Sequence, residues 1–144
     1  MPEILQVEIP WVELDDRWDP SWRASFCLYA YLHPSREKIL YIGKADYQTV
    51  RQRMHGDHKS VVFQYLATHQ NCDDIRVLQG DLLLEPGRNR SSQLLSHVES
   101  LLIMRLQPPA NVACTRSRAF RPGLRVRCTG QWPLKRSGFH DWLR

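Results

Sequence analysis

The stretch Ile39–His58, ILYIGKADYQTVRQRMHGDH, decides the fold. It begins as an apolar run, meets Gly43, and turns polar and basic. The β-branched and aromatic residues of ILYIGK predict a strand. Just upstream, SFCLYAYLH (Ser25–His33) is a second run of the same kind. PSREK lies between them, with Pro34 and Ser35 as turn punctuation. So short a connection predicts an antiparallel hairpin. Downstream, a helix is expected from Thr49 to about Thr68. Val50, Met54, Val61, Val62, Tyr65 and Leu66 form an imperfect apolar face, and Gly56 breaks or bends it.

Further along, DIRVLQGDLL (Asp74–Leu83) suits a third strand that Gly80 interrupts, and EPGRNR reads as a loop. The clearest helix is SSQLLSHVESLLIMRLQ. Ser91 or Ser92 caps it, Leu94, Leu95, Val98, Leu101 and Leu102 form its core stripe, and Pro108 and Pro109 stop it. In GLRVRCTG, Leu124, Val126 and Cys128 alternate with Arg125, Arg127 and Thr129, the period of a strand. Residues 1–24 hold six acids and three tryptophans, with little periodicity, and read as a wrapping arm that covers a sheet edge. The expected class is α/β of the α+β type, with a small, mainly antiparallel three-stranded sheet flanked by helices. The organisation reads as an acidic arm (1–24), a central domain (25–113) and a basic extension (114–144) packed on it that carries a further strand.

The chain has 144 residues, enough for one ordinary domain, and its 42% hydrophobic and 24% charged residues argue against disorder. No apolar run approaches the roughly 20 residues of a membrane span. MPEILQVEIP lacks the pattern of a secretory signal, so a cytoplasmic protein with reduced cysteines (Cys27, Cys72, Cys114, Cys128) is expected. The net charge of +5 is unevenly spread: residues 112–144 carry +7 and residues 1–111 carry −2. A basic end on a slightly acidic body suggests a polyanion partner, nucleic acid above all, although a solvated basic tail has the same composition.

Several residues have the types that phosphodiester chemistry needs: a base for water, a cation for developing charge and a carboxylate for a metal. Glu99 lies near the flank of its helix's leucine stripe, where a carboxylate can project into a cleft and serve a hard cation. Tyr29 and Tyr31 share one strand face, as do Tyr41 and Gly43, so phenols from neighbouring strands can meet. Gly43 at the strand's end leaves room for a close approach. Arg51 and His55 are one helical turn apart. Each residue also has a plain structural reading: packed tyrosines, or a solvated helix glutamate.

Together these residues resemble the GIY-YIG nuclease family, known from excision-repair, homing and restriction endonucleases. Cys27-Leu28-Tyr29 stands where the family has GIY, with cysteine replacing the first glycine. Tyr41-Ile42-Gly43 is an intact YIG, Arg51 falls eight residues after Gly43, and His55 follows one turn later. Glu99 matches the family's metal-binding glutamate and Asn111 its asparagine beyond that helix. The resemblance covers about residues 25–113. It implies a one-metal endonuclease acting on nucleic acid, DNA in preference to RNA, with Mg²⁺ or Mn²⁺ on Glu99. Tyr41 would help to activate water beside Tyr29, Lys44 would tune the phenol, Arg51 would stabilise the phosphate, and His55 would assist proton transfer or hydrogen-bond a phosphate oxygen. Asn111 would fix structure near the metal. Apart from the resemblance, the basic residues Arg53, Arg116, Arg118, Arg121, Arg125 and Arg127 are expected to contact nucleic acid. No second domain is evident to supply specificity, which leaves room for a partner protein or a homodimer.

Two alternatives compete. The fold could be a non-catalytic nucleic-acid-binding module that uses the basic tail and exposed aromatics such as Trp132. Alternatively, His55 and His58 (HxxH) with His69 and Cys72 (HxxC) could supply four ligands for a tetrahedral zinc.

Overall fold

A computed structural model describes residues 4–15, 19–55, 59–70, 74–113 and 123–140. The expected hairpin is present. Strand β2 (Ser25–Leu32) pairs antiparallel with β3 (Ile39–Thr49) across the predicted turn. The third strand, β4 (Arg76–Gly80), pairs antiparallel with β2 on its other side.

The sheet does not stop at three strands. β1 (Leu5–Glu13) joins β4, β6 (Leu124–Gly130) joins β1, and β7 (Gly138–His140) joins β6. The result is a seven-stranded sheet in the order β3-β2-β4-β1-β6-β7, with the short β5 (Leu83–Leu84) also paired to β1. All pairings are antiparallel except β1–β6. The three-stranded expectation failed because β1 was read as a wrapping arm. Leu5, Val7, Ile9 and Trp11 are buried and alternate with Gln6, Glu8 and Val12, which are exposed. That is the period-2 signal of a strand. Pro10 is tolerated here although prolines are normally kept from central strands. β4 pairs with residues 11–13 and β5 with residues 7–8, so Ile9 and Pro10 fall in the gap between them.

The expected helix over 49–68 is two helices, α1 (Val50–Met54) and α2 (Lys59–His69). Gly56, the anticipated break, lies outside the described residues. Thr49 starts α1 with a reciprocal capping box: its side chain accepts from Gln52 N–H, and the Gln52 side chain accepts from Thr49 N–H. Helix α3 (Ser92–Leu106) follows its expectation closely. Ser91 Oγ accepts from Leu94 N–H at 3.0 Å, and Gln107, in the left-handed region at φ 51°, ends the helix by donating to Ile103 C=O. Pro109 then opens the short α4 (Pro109–Ala113).

Each face of the sheet has its own core. Leu28, Ala30 and Ile42 pack with Leu95, Val98, Leu101 and Leu102 of α3, and with Val7, Ile9, Leu124 and Val126. Each of the buried leucines, isoleucines and valines among these is worth about 1.5–3 kcal/mol. On the other face, Tyr29, Tyr31, Tyr41 and Ala45 pack with Val50, Val62, Leu66 and Ala110 from α1, α2 and α4. Trp132 is half-buried and packs against the first core. It lies 5.4 Å from the Trp11 ring, meets Phe139 edge-on at 6.2 Å, and donates its indole N–H to Arg136 C=O. Among the described residues no helix is long and apolar enough to cross a membrane.

Candidate functional site

Pairing of β2 with β3 sets Tyr29 opposite Gly43, and Tyr31 opposite Tyr41. The first pair explains the glycine. The Tyr29 ring lies over Gly43 so closely that a β-carbon there would come within 2.5 Å of Tyr29 Cζ and Oη. The second pair stacks its rings at 5.3 Å, and the Tyr29 ring lies 6.2 Å from Tyr41 and 5.6 Å from Tyr31. The three phenols therefore form one cluster on one face, as the alternation of strand residues requires.

At the centre of this cluster is Lys59, the first residue of α2, a residue that the sequence reading passed over. It is 1% exposed. Its Nζ donates to Tyr41 Oη at 2.8 Å and lies 3.9, 4.8 and 5.6 Å from the ring centroids of Tyr41, Tyr29 and Tyr31. A buried ammonium costs several kcal/mol in lost hydration. Cation–π contacts offset this by about 0.5–2 kcal/mol each. The charge-assisted bond to Tyr41 adds about 1.5–3 kcal/mol. The sequence held a signal for this lysine: Lys59, Val62 and Leu66 recur at i, i+3 and i+7, and all three are buried.

The phenols are not equivalent. Burial pushes the Tyr29 hydroxyl well above its ordinary value, the Tyr41 and Tyr31 phenols push it further, and the charge of Arg53 opposes the rise. Burial acts the same way on Tyr31, with Tyr41 adding and Arg53 opposing. Both stay protonated at neutral pH, and Tyr31 Oη has no hydrogen-bond partner among the described residues. Cys27 is fully buried opposite Ala45, and burial raises its thiol to about 11.

Lys44 was expected to tune the phenol, but it lies on the other face of β3. Its ammonium donates to Ser96 Oγ of α3, tying strand to helix. Arg53 was expected to be a nucleic-acid contact, yet it is half-buried and near enough to affect both Tyr29 and Tyr31. Arg51 and His55 are exposed on α1 and at its C-cap. Between Cys27–Ala45 and Ser25–Thr49 the pairing slips, so residues 46–48 bulge from β3. Tyr47, at φ 60° and 90% exposed, is the tip of this bulge, through which the chain leaves the sheet for α1.

Asn111 performs a task visible in atomic detail. Its Nδ2 donates to Ile42 C=O at 2.9 Å, and its Oδ1 accepts from Ile42 N–H at 2.7 Å. β3 is the sheet's edge strand, so Asn111 stands in for a neighbouring strand at the residue between Tyr41 and Gly43. Glu99 is buried, at 7% exposure, one turn beyond Ser96 on α3. The core stripe of α3 covers the Ile42 face of the sheet, opposite the tyrosines. A ligand shared by Glu99 and Tyr41 would therefore lie around the free edge of β3.

Among the described residues no three His, Cys, Asp or Glu side chains form a group that could hold a metal ion. A single carboxylate nonetheless suits Mg²⁺ or Mn²⁺, because such ions keep water and phosphate oxygens in their shell. Tetrahedral zinc asks for three or four protein ligands. Of the zinc alternative's residues, His58 and Cys72 lie outside the described residues, and His69 stacks on Tyr65 at 4.9 Å.

Arg116, Arg118 and Arg121 also lie outside the described residues. Arg125 and Arg127 are exposed on β6. Following the register from Tyr29 through Gln79 and Val12, then along β1 to Glu8 and Gln6, puts both arginines on the tyrosine face of the sheet. Four strand spacings separate β6 from β3, about 19 Å. Glu8 sits beside Arg127 and accepts from Thr129 Oγ1, so part of this basic strip is neutralised by β1. No family model, curated protein or solved structure matches the chain.

Proposed function

We propose that the chain is a metal-dependent endonuclease that hydrolyses nucleic-acid phosphodiester bonds, with DNA the favoured substrate. One observation carries the reading. Residues matched by sequence spacing alone, Tyr29, Tyr41, Gly43 and Asn111, converge on a single strand edge. There the tyrosine ring requires the glycine, and the asparagine clamps the residue between Tyr41 and Gly43. Nothing in the packing of an ordinary hairpin demands that set.

In this reading Glu99 would hold Mg²⁺ or Mn²⁺, which when bound would supply positive charge for the leaving oxygen. Tyr41, once its own proton has passed to solvent, would accept a proton from the attacking water, with the fully buried Tyr29 packed beside it. Arg51 and His55, exposed at α1, meet the phosphate from solvent. Arg125 and Arg127 lie on the same sheet face about 19 Å away, the length of roughly six nucleotides of one strand. Specificity would come from a partner protein or a second copy of the chain.

The test incubates single- and double-stranded DNA and RNA with the protein and Mg²⁺ or Mn²⁺, comparing wild type with Glu99→Gln and Arg51→Ala. Cleavage by wild type, lost in both variants while binding is retained, is expected. Intact substrate with every nucleic acid and both metals would refute the nuclease and favour the non-catalytic binding module. The near-complete burial of Tyr29 and Tyr31 already accords with that alternative.

A further inference from the structure

Lys59 has no counterpart in any motif of the sequence, yet its ammonium bonds the Tyr41 hydroxyl. We infer that Lys59 is a positioning residue, whose ammonium fixes the Tyr41 oxygen and stabilises the negative charge that this oxygen acquires when its proton leaves. The use of that charge to activate water rests on the nuclease reading; the coupling of the two groups does not.

Four features carry the inference. The Nζ–Oη distance of 2.8 Å is a full hydrogen bond. Nζ lies nearer to the Tyr41 ring than to the Tyr29 and Tyr31 rings, so the charge acts most strongly on Tyr41. The Lys59 side chain is almost wholly removed from water, which leaves its field little screened. The cation that β3 itself carries, Lys44, is engaged with Ser96 on the opposite face. Among the described residues, the titratable and charged groups shown against Tyr41 or its ring partners are Tyr29 and Tyr31 from β2, Arg53 from α1, which acts on Tyr31, and Lys59 from α2. Arg53 acts on Tyr29 and Tyr31, and Lys59 bonds Tyr41 directly.

The experiment is an ultraviolet difference titration of phenolate formation in the full chain, with chelator present so that no metal contributes. Tyr41→Phe identifies the Tyr41 part of the curve. Lys59→Met should move that part upward by at least about one pH unit, the effect of losing an adjacent cation. Lys59→Arg, which keeps the charge, should restore most of it. If Lys59→Met does not fold, Lys59→Gln, neutral but still a donor, makes the same comparison. An unmoved Tyr41 curve in the folded neutral variant overturns the inference. A second arm measures metal-dependent cleavage, in which Lys59→Met should lower kcat at least tenfold with KM little changed. A moved phenol curve in a chain whose wild type cleaves nothing would refute the nuclease and uphold the coupling. An unmoved curve in an active nuclease would do the reverse.

Discussion

Gly43→Ala isolates the tightest contact in the candidate site. Gly43 does not occupy the left-handed backbone region, so alanine meets no conformational penalty there. Relief of glycine's freedom in the unfolded chain would then stabilise the protein by about 0.4–1 kcal/mol. Packing reverses the sign. The added β-carbon would come within 2.5 Å of Tyr29 Cζ and Oη and 2.9 Å of Cε2. Tyr29 is fully buried between Tyr31, Tyr41 and Lys59, so its ring cannot swing aside without disturbing all three. Overpacking of this kind costs about 1–3 kcal/mol. In a domain of this size that lowers Tm by roughly 3–10 °C. The assay is thermal and urea unfolding of Gly43→Ala, Tyr29→Leu and the double variant. Leucine lacks the atoms that collide, so the double variant should cost less than the sum of the singles, with a coupling of about 1 kcal/mol or more. Gly138→Ala is the control, because a β-carbon there meets nothing within 4 Å. A neutral or stabilising Gly43→Ala, or additive singles, would refute the close-approach account of this glycine.

Asn111→Ala removes both bonds to Ile42 and should cost about 2–4 kcal/mol, since two backbone groups lose their partner. Faster hydrogen exchange at the Ile42 amide would locate the damage, and an unchanged rate would count against the clamp. Alkaline pH should weaken the fold. Burial raises Cys27 to about 11 and Cys128 to about 12, and also lifts Tyr29 and Tyr31 above their ordinary values. Groups with raised folded-state values contribute fully below their unfolded values, which start near 9 for the thiols, and lose that contribution as pH rises towards the folded ones. The loss is up to about 1.4 kcal/mol per pH unit per group. Urea midpoints should therefore fall from about pH 9 upward, and a flat profile would contradict this. Trp132→Ala should lower stability by about 2–3 kcal/mol, a little below the cost at a fully buried site. It should leave the salt dependence of any nucleic-acid binding unchanged, because the ring packs on Trp11 and Phe139.

What the sequence disclosed was mostly local. The β2–β3 hairpin, α3 with its serine cap and proline stop, and the alternation of β6 follow from neighbours a few residues apart, and all three are present. β1 escaped notice because Pro10 and the acids between its apolar positions resemble a loop. Its strand character depends on β4 and β6, which come much later in the chain. Lys59 escaped for a related reason. A lysine opening a helix ordinarily faces solvent, and its burial comes from phenols on two strands that α2 covers. The tyrosine face and Gly43 were legible from alternation alone. Alternation also rules out Lys44, an odd number of strand positions from Tyr41, but it cannot point to Lys59, which reaches Tyr41 from a separate helix.

The parallel pairing of β1 with β6 has a consequence for the order in which the molecule assembles. Leu5 aligns with Leu124 and Trp11 with Gly130, so the middle of the sheet joins segments more than a hundred residues apart. Closing a loop that long costs about 4 kcal/mol in chain entropy before any contact rewards it. The β2–β3 hairpin closes a far shorter loop and can form early, with α3 docking next to it. The core around Val7, Ile9, Leu124 and Val126 waits for the two distant segments to meet. Folding should then be slow, with a rate set by that encounter, and the tyrosine cluster should acquire its shape before the rest of the sheet is complete.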